Sequence, residues 1–292
     1  MSHGFEPGAE RTCNLNTIDI RVAHSPDSDD AFMFYALARG LLDTGPFRFV
    51  HTLRDIETLN RAALHGEYEV SAVSIHAYAY VSDKYALLSS GASMGERYGP
   101  VLVSRHALPA SAVRGRRVAV PGTMTSAYLA MKLFEPDFRE VVVPFDRIMD
   151  TVASGDAEAG LLIHEGQLTY AREGFRKIID LGEWWHEQTG LPLPLGGNAI
   201  RRDLGPETIA RVSRLLRGSI RYSLEHREEA LAHAMGYARG LATGQADRFV
   251  GMYVNRRTLD YGPDGRRAVQ LFLDRAFDNG IIPRRVTVDF ID

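Results

Sequence analysis

The sequence predicts an α/β protein of two lobes with a ligand cleft between them. Three observations carry that prediction. A strand–helix–strand–helix–strand run fills residues 18–74, a second such block fills 116–163, and an extended passage flanks the second block on each side, at 101–105 and 191–197. A chain that leaves one lobe, builds another and returns makes two crossings. The expected division is a poorly ordered tail at 1–17, a large lobe of 18–104 plus 198–292, and a small lobe of 105–197. At about 100–200 residues per domain, a chain of 292 residues suits two such units.

Each element has a local reason. "IDIRVAH" (18–24) alternates Ile18, Ile20 and Val22 with polar residues, the period of a strand. Residues 29–42 show Phe32, Tyr35 or Ala36, and Arg39 at helical spacing, with Gly40 near the end. "FRFVHTL" (47–53) alternates again. "DIETLNRAALHG" (55–66) offers Asp55 as N-cap, an apolar face of Ile56, Leu59 and Ala63, and Gly66 as a stop. "YEVSAVS" (68–74) is a third strand, and strands separated by helices imply a parallel sheet with right-handed crossovers. The second block repeats the scheme: strand 116–120, helix 125–134, strand 140–145, helix 146–154, strand 159–163. From 206 to 279 the pattern is mostly helical, and Ile209, Val212, Leu215, Leu216, Ile220 and Leu224 recur at core-facing steps.

Composition narrows the function classes. Net charge is −3, so no basic excess exists to neutralise a phosphate backbone, and nucleic acid is not an expected partner. No apolar run approaches the ~20 residues that span a bilayer, so no membrane partner is expected either. The opening "MSHGFEPGAERTCNLNT" lacks the basic-then-apolar pattern of a secretory signal, which makes a cytoplasmic location the expectation. The single cysteine, Cys13, sits in that stretch and rules out an intramolecular disulfide.

Ligands of open α/β sheets bind at the carboxyl ends of strands, and four strand ends carry polar residues. After the first comes "SPDSDD" (25–30), after the third Ser74, after "RRVAVPG" Thr123, Thr125 and Ser126, and after "AGLLI" His164. "PGTMTSAY" (121–128) ends a strand, supplies hydroxyls and starts a helix. Free N–H groups and the positive helix end favour an anion such as a carboxylate there; the alternative is that Thr125 or Ser126 only caps the helix. His164 follows an apolar strand directly, where an imidazole suits a general base at neutral pH; the alternative is a structural histidine bonded to a carbonyl. The aspartates serve first as a helix start, with Ser28 or Asp29 as cap, and second as the rim of the cleft. "GASMG" (91–95) fits the Gly-x-Ser-x-Gly pattern, but a nucleophile elbow needs a strand before and a helix after. Here a turn and another strand follow, so Ser93 is not read as a nucleophile. Neither "HEGQL" nor "HEQTG" has the second histidine of a zinc helix, and no glycine-rich nucleotide loop exists.

"AHSPDSDDAFMFYAL", "VSIHAYAYV", "LLSSGASMGERYGPVLV", "VAVPGTMTSAY", "AGLLIHEGQLTY", "IIDLGEWWHEQTGLPLPLGG" and "RRDLG" follow one another across residues 23–205. This series resembles the 1,4-dihydroxy-6-naphthoate synthases of the futalosine route to menaquinone. The resemblance implies a periplasmic-binding-protein-like fold of type II used as a cytoplasmic carbon–carbon lyase. It implies conversion of cyclic dehypoxanthinyl futalosine to 1,4-dihydroxy-6-naphthoate, with release of the sugar-derived part and no cofactor or metal. His164 matches the family's proposed general base. Ala72, Val73 and Ser74 match one substrate-contact segment, and Ser126 and Ala127 the other, with Thr125 beside them. Some members have Cys-Pro-Asn-Asp where this chain has Asp27 to Asp30, so Asp30 transfers and Asp29 less safely. Many have two threonines at Thr125-Ser126, and some a lysine at Ala72. The expected partner is a small-molecule carboxylate substrate, with room for a homodimer. The alternatives are chorismate dehydratase of the same pathway and a non-catalytic solute-binding protein for a small anion.

Overall fold

The computed structural model describes residues 17–238 and 242–292. The expected tail, Cys13 included, lies outside the described residues except for Thr17. The strands run β1 (Ile18–His24), β2 (Phe47–Leu53), β3 (Val70–Ser74), β4 (Tyr85–Leu88), β5 (Ser93–Gly95), β6 (Val101–Ser104), β7 (Arg117–Val120), β8 (Arg139–Val142), β9 (Ala159–Leu162), β10 (Arg176–Asp180), β11 (Leu193–Arg201) and β12 (Phe290–Ile291). They form two sheets. The first has the order β12-β4-β11-β3-β1-β2, with β5 also on β11; the second has the order β10-β6-β9-β7-β8.

The parallel reading of the first block holds: β1 pairs in parallel with both β2 and β3. In the second block β7 pairs in parallel with β8 and β9. Both passages taken for crossings are strands. β6 pairs antiparallel with β9 and β10 inside the second sheet. β11 lies between β3 and β4 in the first. The sheets therefore exchange the chain at 96–100 and 181–192, so residues 101–104 and 193–197 fall on the opposite side of the expected lobe boundaries. Proline misleads at β11 because it cannot donate to a ladder. Here Pro194 sits near the strand's start, opposite Met94 of the short β5, where the register shifts. Gly197 is required further on, because a Cβ there would meet the Tyr261 hydroxyl at 2.1 Å.

The helix expected over 29–42 is two pieces, Ser28–Met33 and Tyr35–Ala38. The break is at Phe34, whose backbone leaves the helical region while its ring stacks on His24 at 4.4 Å. The long helical stretch is as read. Ile209, Val212, Leu216 and Ile220 of the helix Pro206–Glu225 are buried, and Leu215 and Leu224 pack against the core at its edge. Among the described residues no helix is long and apolar enough to cross a membrane.

The core does not respect the lobe division. One buried apolar cluster runs from Tyr78 and Leu87 of the first sheet's side, through Leu129 and Met131 of the helix Ser126–Phe134, to Val118 and Leu161 of the second sheet. Trp185 stands inside it, fully buried, with its indole N–H donating to the Pro192 carbonyl at 3.0 Å and its ring edge-on to Phe272. Trp185→Ala is expected to cost about 3–5 kcal/mol, the range for deleting a buried aromatic. Urea unfolding followed by circular dichroism should show a lower midpoint but still one transition, because the lobes share this core; two separated transitions would contradict the shared-core reading.

Candidate active site

The carboxyl ends of β1, β3, β7 and β9 meet at one cavity of about 800 Å³, counting the space at its mouth. Ala72, Val73 and Ser74 line it from β3, Thr125, Ser126 and Ala127 from the start of the helix Ser126–Phe134, and Asp30 from the turn after β1. Ile163 lines it after β9. Seven of the eight residues expected in the site thus share one wall or another of this space. The eighth, His164, is half-buried and is not among the lining residues. Its ring lies edge-on to Phe145 with centroids 4.0 Å apart.

The helix start presents neutral polar groups to the cavity. Thr125 is the N-cap: its hydroxyl accepts from Tyr128 N–H at 3.1 Å and donates to the Gly122 carbonyl at 3.0 Å. That hydroxyl is spent on structure, as the capping alternative had it. The helix geometry leaves the first N–H groups, those of Ser126 and Ala127, without intrahelical acceptors. Ser126 Oγ accepts from His76 N–H at 3.3 Å and keeps its own proton to offer.

Large-lobe side chains hold this small-lobe loop. Asn60, fully buried, accepts from Ser74 N–H at 2.8 Å and donates to Ser74 Oγ at 3.0 Å and to the Met124 carbonyl at 3.3 Å. Glu57 accepts from Met124 N–H at 3.1 Å. His76 lies beneath, its Nδ1 3.3 Å from the Thr125 carbonyl, and burial pushes the imidazole pKa down to about 4.

The acidic turn departs from its expectation. The N-cap of Ser28–Met33 is Asp27, and no side chain caps the helix. Neither Ser28 nor Asp29 does so, because the segment turns its carboxylates inward: Asp27, Asp29 and Asp30 all line the cavity. Asp30 accepts from Ser25 N–H at 2.7 Å, yet burial raises its pKa to about 6. Burial, with Asp30, Asp27 and Glu165 nearby, holds Asp29 well above the ordinary carboxylate range. Among the described residues no cluster of three His, Cys, Asp or Glu side chains is placed to hold a metal ion.

Ser93 lines the cavity from β5, and the strand geometry there excludes a nucleophile elbow. Sequence reasoning missed Asn60, His76, Asn198 and Tyr253. Asn60 carried a signal, since it lies four residues after Ile56 on the face that faces the core. Asn198 and Tyr253 line the cavity from β11 and the helix Thr243–Tyr253, elements remote in sequence from the strand ends.

Two sheets that direct their strand ends at a shared cavity define the two-lobed periplasmic-binding-protein-like class. The alkanesulfonate-binding protein SsuA of Xanthomonas axonopodis pv. citri has this fold, with a TM-score of 0.69 at 11% identity over 92% of this chain and 96% of that one. A family model described as menaquinone biosynthesis matches residues 20–278, and the chain belongs to that family. It is 43% identical over 262 residues to the 1,4-dihydroxy-6-naphtoate synthase of Thermus thermophilus, covering 90% of this chain and 95% of that protein. It is 38% identical over 270 residues to the enzyme of the same name in Streptomyces coelicolor, with the same coverage. A crystal structure of an Archaeoglobus fulgidus protein is similar at a TM-score of 0.87 and 49% identity, over 90% of this chain and 98% of that one.

Two measurements test the clamp beneath this helix start. Asn60→Ala leaves buried Ser74 N–H without its acceptor and should cost about 1–3 kcal/mol in chemical denaturation. The His76 pKa is depressed in the folded state, so its stabilising contribution is present above the unfolded value of 6.5 and lost as pH falls toward 4. Between neutral pH and pH 4 the wild type should lose ~3 kcal/mol more than His76→Asn. Equal losses in the two proteins would show that His76 is not buried as a neutral imidazole.

Proposed function

We propose that this chain is a lyase that converts cyclic dehypoxanthinyl futalosine into 1,4-dihydroxy-6-naphthoate and releases the sugar-derived part. The observation that carries the reading is the cavity itself. It has apolar walls, including Ala72, Val73, Ile163 and Phe249, of a size for a fused ring system, and a neutral donor seat at one helix start. Membership of the menaquinone biosynthesis family and two relatives bearing the synthase name support it.

In this reading the substrate carboxylate takes hydrogen bonds from the N–H groups of Ser126 and Ala127 and from the Ser126 hydroxyl. Ser74, fixed by Asn60, offers its hydroxyl beside them. With the ring so held, neutral His164 removes a proton from carbon. The C–H electron pair enters the ring system as the sugar-derived ring opens at a C–O bond, whose oxygen takes up a proton. A hydroxyl on the sugar-derived part then loses its proton and becomes a carbonyl as the carbon–carbon bond to the ring system breaks, and the ring oxygen that receives that electron pair takes the proton. Aromatisation drives the sequence. The protein contributes orientation and one proton transfer, the latter worth roughly 10²–10⁴-fold. Since Ile163 lines the cavity and His164 is the next residue, the reacting carbon sits toward the edge that Phe145 flanks.

His164→Ala should lower kcat by about 10²–10⁴-fold while the naphthoate product binds nearly as well as to the wild type. A variant that turns over the substrate at close to the wild-type rate would remove His164 from the mechanism.

A further inference from the structure

An interior amide stands on one wall of the cavity. Asn198 is 2% exposed and lines the cavity from β11, directly opposite Ala72 of β3 in the antiparallel register. Residues paired across two strands point to the same face of a sheet. Ala72 lines the cavity too, so the amide and the alanine methyl share that face. The local fit fixes how the amide lies. Among the described residues, the one hydrogen bond of this side chain runs from Nδ2 to the Met33 sulfur at 3.4 Å. A thioether accepts and cannot donate, so the nitrogen faces Met33 and the oxygen is turned from it. Gly91 closes the nitrogen's other side: its φ is +88°, and a Cβ on it would stand 2.1 Å from Asn198 Nδ2. Met33 and Gly91 line the cavity beside the amide they hold.

The amide's bonding capacity is mostly unused by the protein. A carboxamide offers two N–H donors and an oxygen with two lone pairs. At Asn198 one N–H meets a weak sulfur acceptor, and the oxygen has no donor among the described residues. Asn60, also interior, differs: its oxygen takes Ser74 N–H and its nitrogen serves two oxygens. Interior amides are normally satisfied, because an unmet polar group in a poorly hydrated place is costly. A leucine, with the same branching and a similar volume, would pack on Met33 without that cost. The position also suits the far end of a ligand. Gly196 pairs with Ser74, and Asn198 with Ala72. Two residues along a strand advance about 7 Å, a span comparable with a fused bicyclic ring.

We propose that Asn198 is a specificity-determining residue whose carboxamide oxygen accepts a hydrogen bond from a hydroxyl on the fused ring, so that the site selects ring-hydroxylated fused-ring carboxylates over plain ones. The proposal deepens the reading given above and rests on it. In that reading a ring oxygen takes up a proton as the carbon–carbon bond breaks. The hydroxyl so formed is the donor that the amide oxygen lacks, and the carboxylate is held at the other end by Ser126 and Ala127. Met33 and Gly91 act through the amide: they hold it in one orientation, so little freedom is lost when the ligand arrives.

The test is isothermal titration of the full chain, with oxygen excluded, against 1,4-dihydroxy-6-naphthoate and against 2-naphthoate, the same skeleton without the two hydroxyls. The wild type should bind the dihydroxy compound about tenfold more tightly. Asn198→Leu should bind 2-naphthoate about as the wild type does and lose most of that preference. A residue that only shaped the wall would change both affinities together and leave their ratio alone. Asn198→Ala removes the amide without setting a branched chain against Met33; it should lose the preference as well, and it decides the matter if the leucine variant does not fold. Equal wild-type affinity for the two compounds, or an undiminished preference in either folded variant, overturns the role of Asn198 and leaves the fused-ring carboxylate reading standing. If neither compound binds the wild type, that reading fails and the role of Asn198 fails with it.

Discussion

The buried amide of Asn60 is the contact on which the rest of the site depends. It comes from the large lobe, fixes both the backbone and the hydroxyl of Ser74, and reaches the Met124 carbonyl in the small lobe. One side chain thereby sets the distance between two strand ends that belong to different sheets. Both bonding edges of the amide are used, and a buried amide left half-satisfied would be costly. Glu57 and His76 repeat the connection on either side. The loop before the helix Ser126–Phe134 is thus part of the large lobe in energetic terms, although its chain belongs to the small one.

That connection changes what the two-lobed fold can do. Binding proteins of this architecture are commonly described by two bodies closing about a hinge. Here one apolar cluster, with Trp185 and Tyr78 at zero exposure, passes from one sheet to the other. Opening the lobes along this side would expose that core and break the Asn60 bonds together. The opposite side of the cavity is joined by the Tyr253 hydroxyl bonded to Gln167, whose own N–H meets the His164 carbonyl at 2.7 Å. The start of the helix Ser126–Phe134 is held across the cleft by several polar contacts and by a core.

Much of the fold was legible because it obeys local periodicity. The three parallel strands up to Ser74, the cap at Asp55 and the core face of the long helix after residue 206 all follow from spacing. The misreadings have specific causes. β11 contains a proline and a glycine pair, which signal a loop, and only its place between β3 and β4 makes those residues tolerable. The helix after β1 breaks at Phe34 for the sake of a ring stack with His24, a tertiary demand that outweighs propensity. In the site, the strand ends were visible because their chemistry is local. Asn60 and Tyr253 were not, since their value comes from partners at positions 74, 124 and 167.

The acidic turn shows how the same residues can mislead and inform. Aspartates before a helix ordinarily read as caps, because a side-chain oxygen and the helix N-terminus attract one another. In this chain the helix Ser28–Met33 has no side-chain cap, and Asp29 and Asp30 line the cavity. A helix of six residues gains little from capping, and its buried residues Ser28, Ala31, Phe32 and Met33 anchor it by packing instead. Freed from the cap, two neighbouring acids find different surroundings: Asp30 meets the Ser25 N–H, and Asp29 meets other acids. Asp30 thereby fixes the turn after β1, while both carboxyl groups line the same cavity as the uncharged hydroxyls of Ser74 and Ser126.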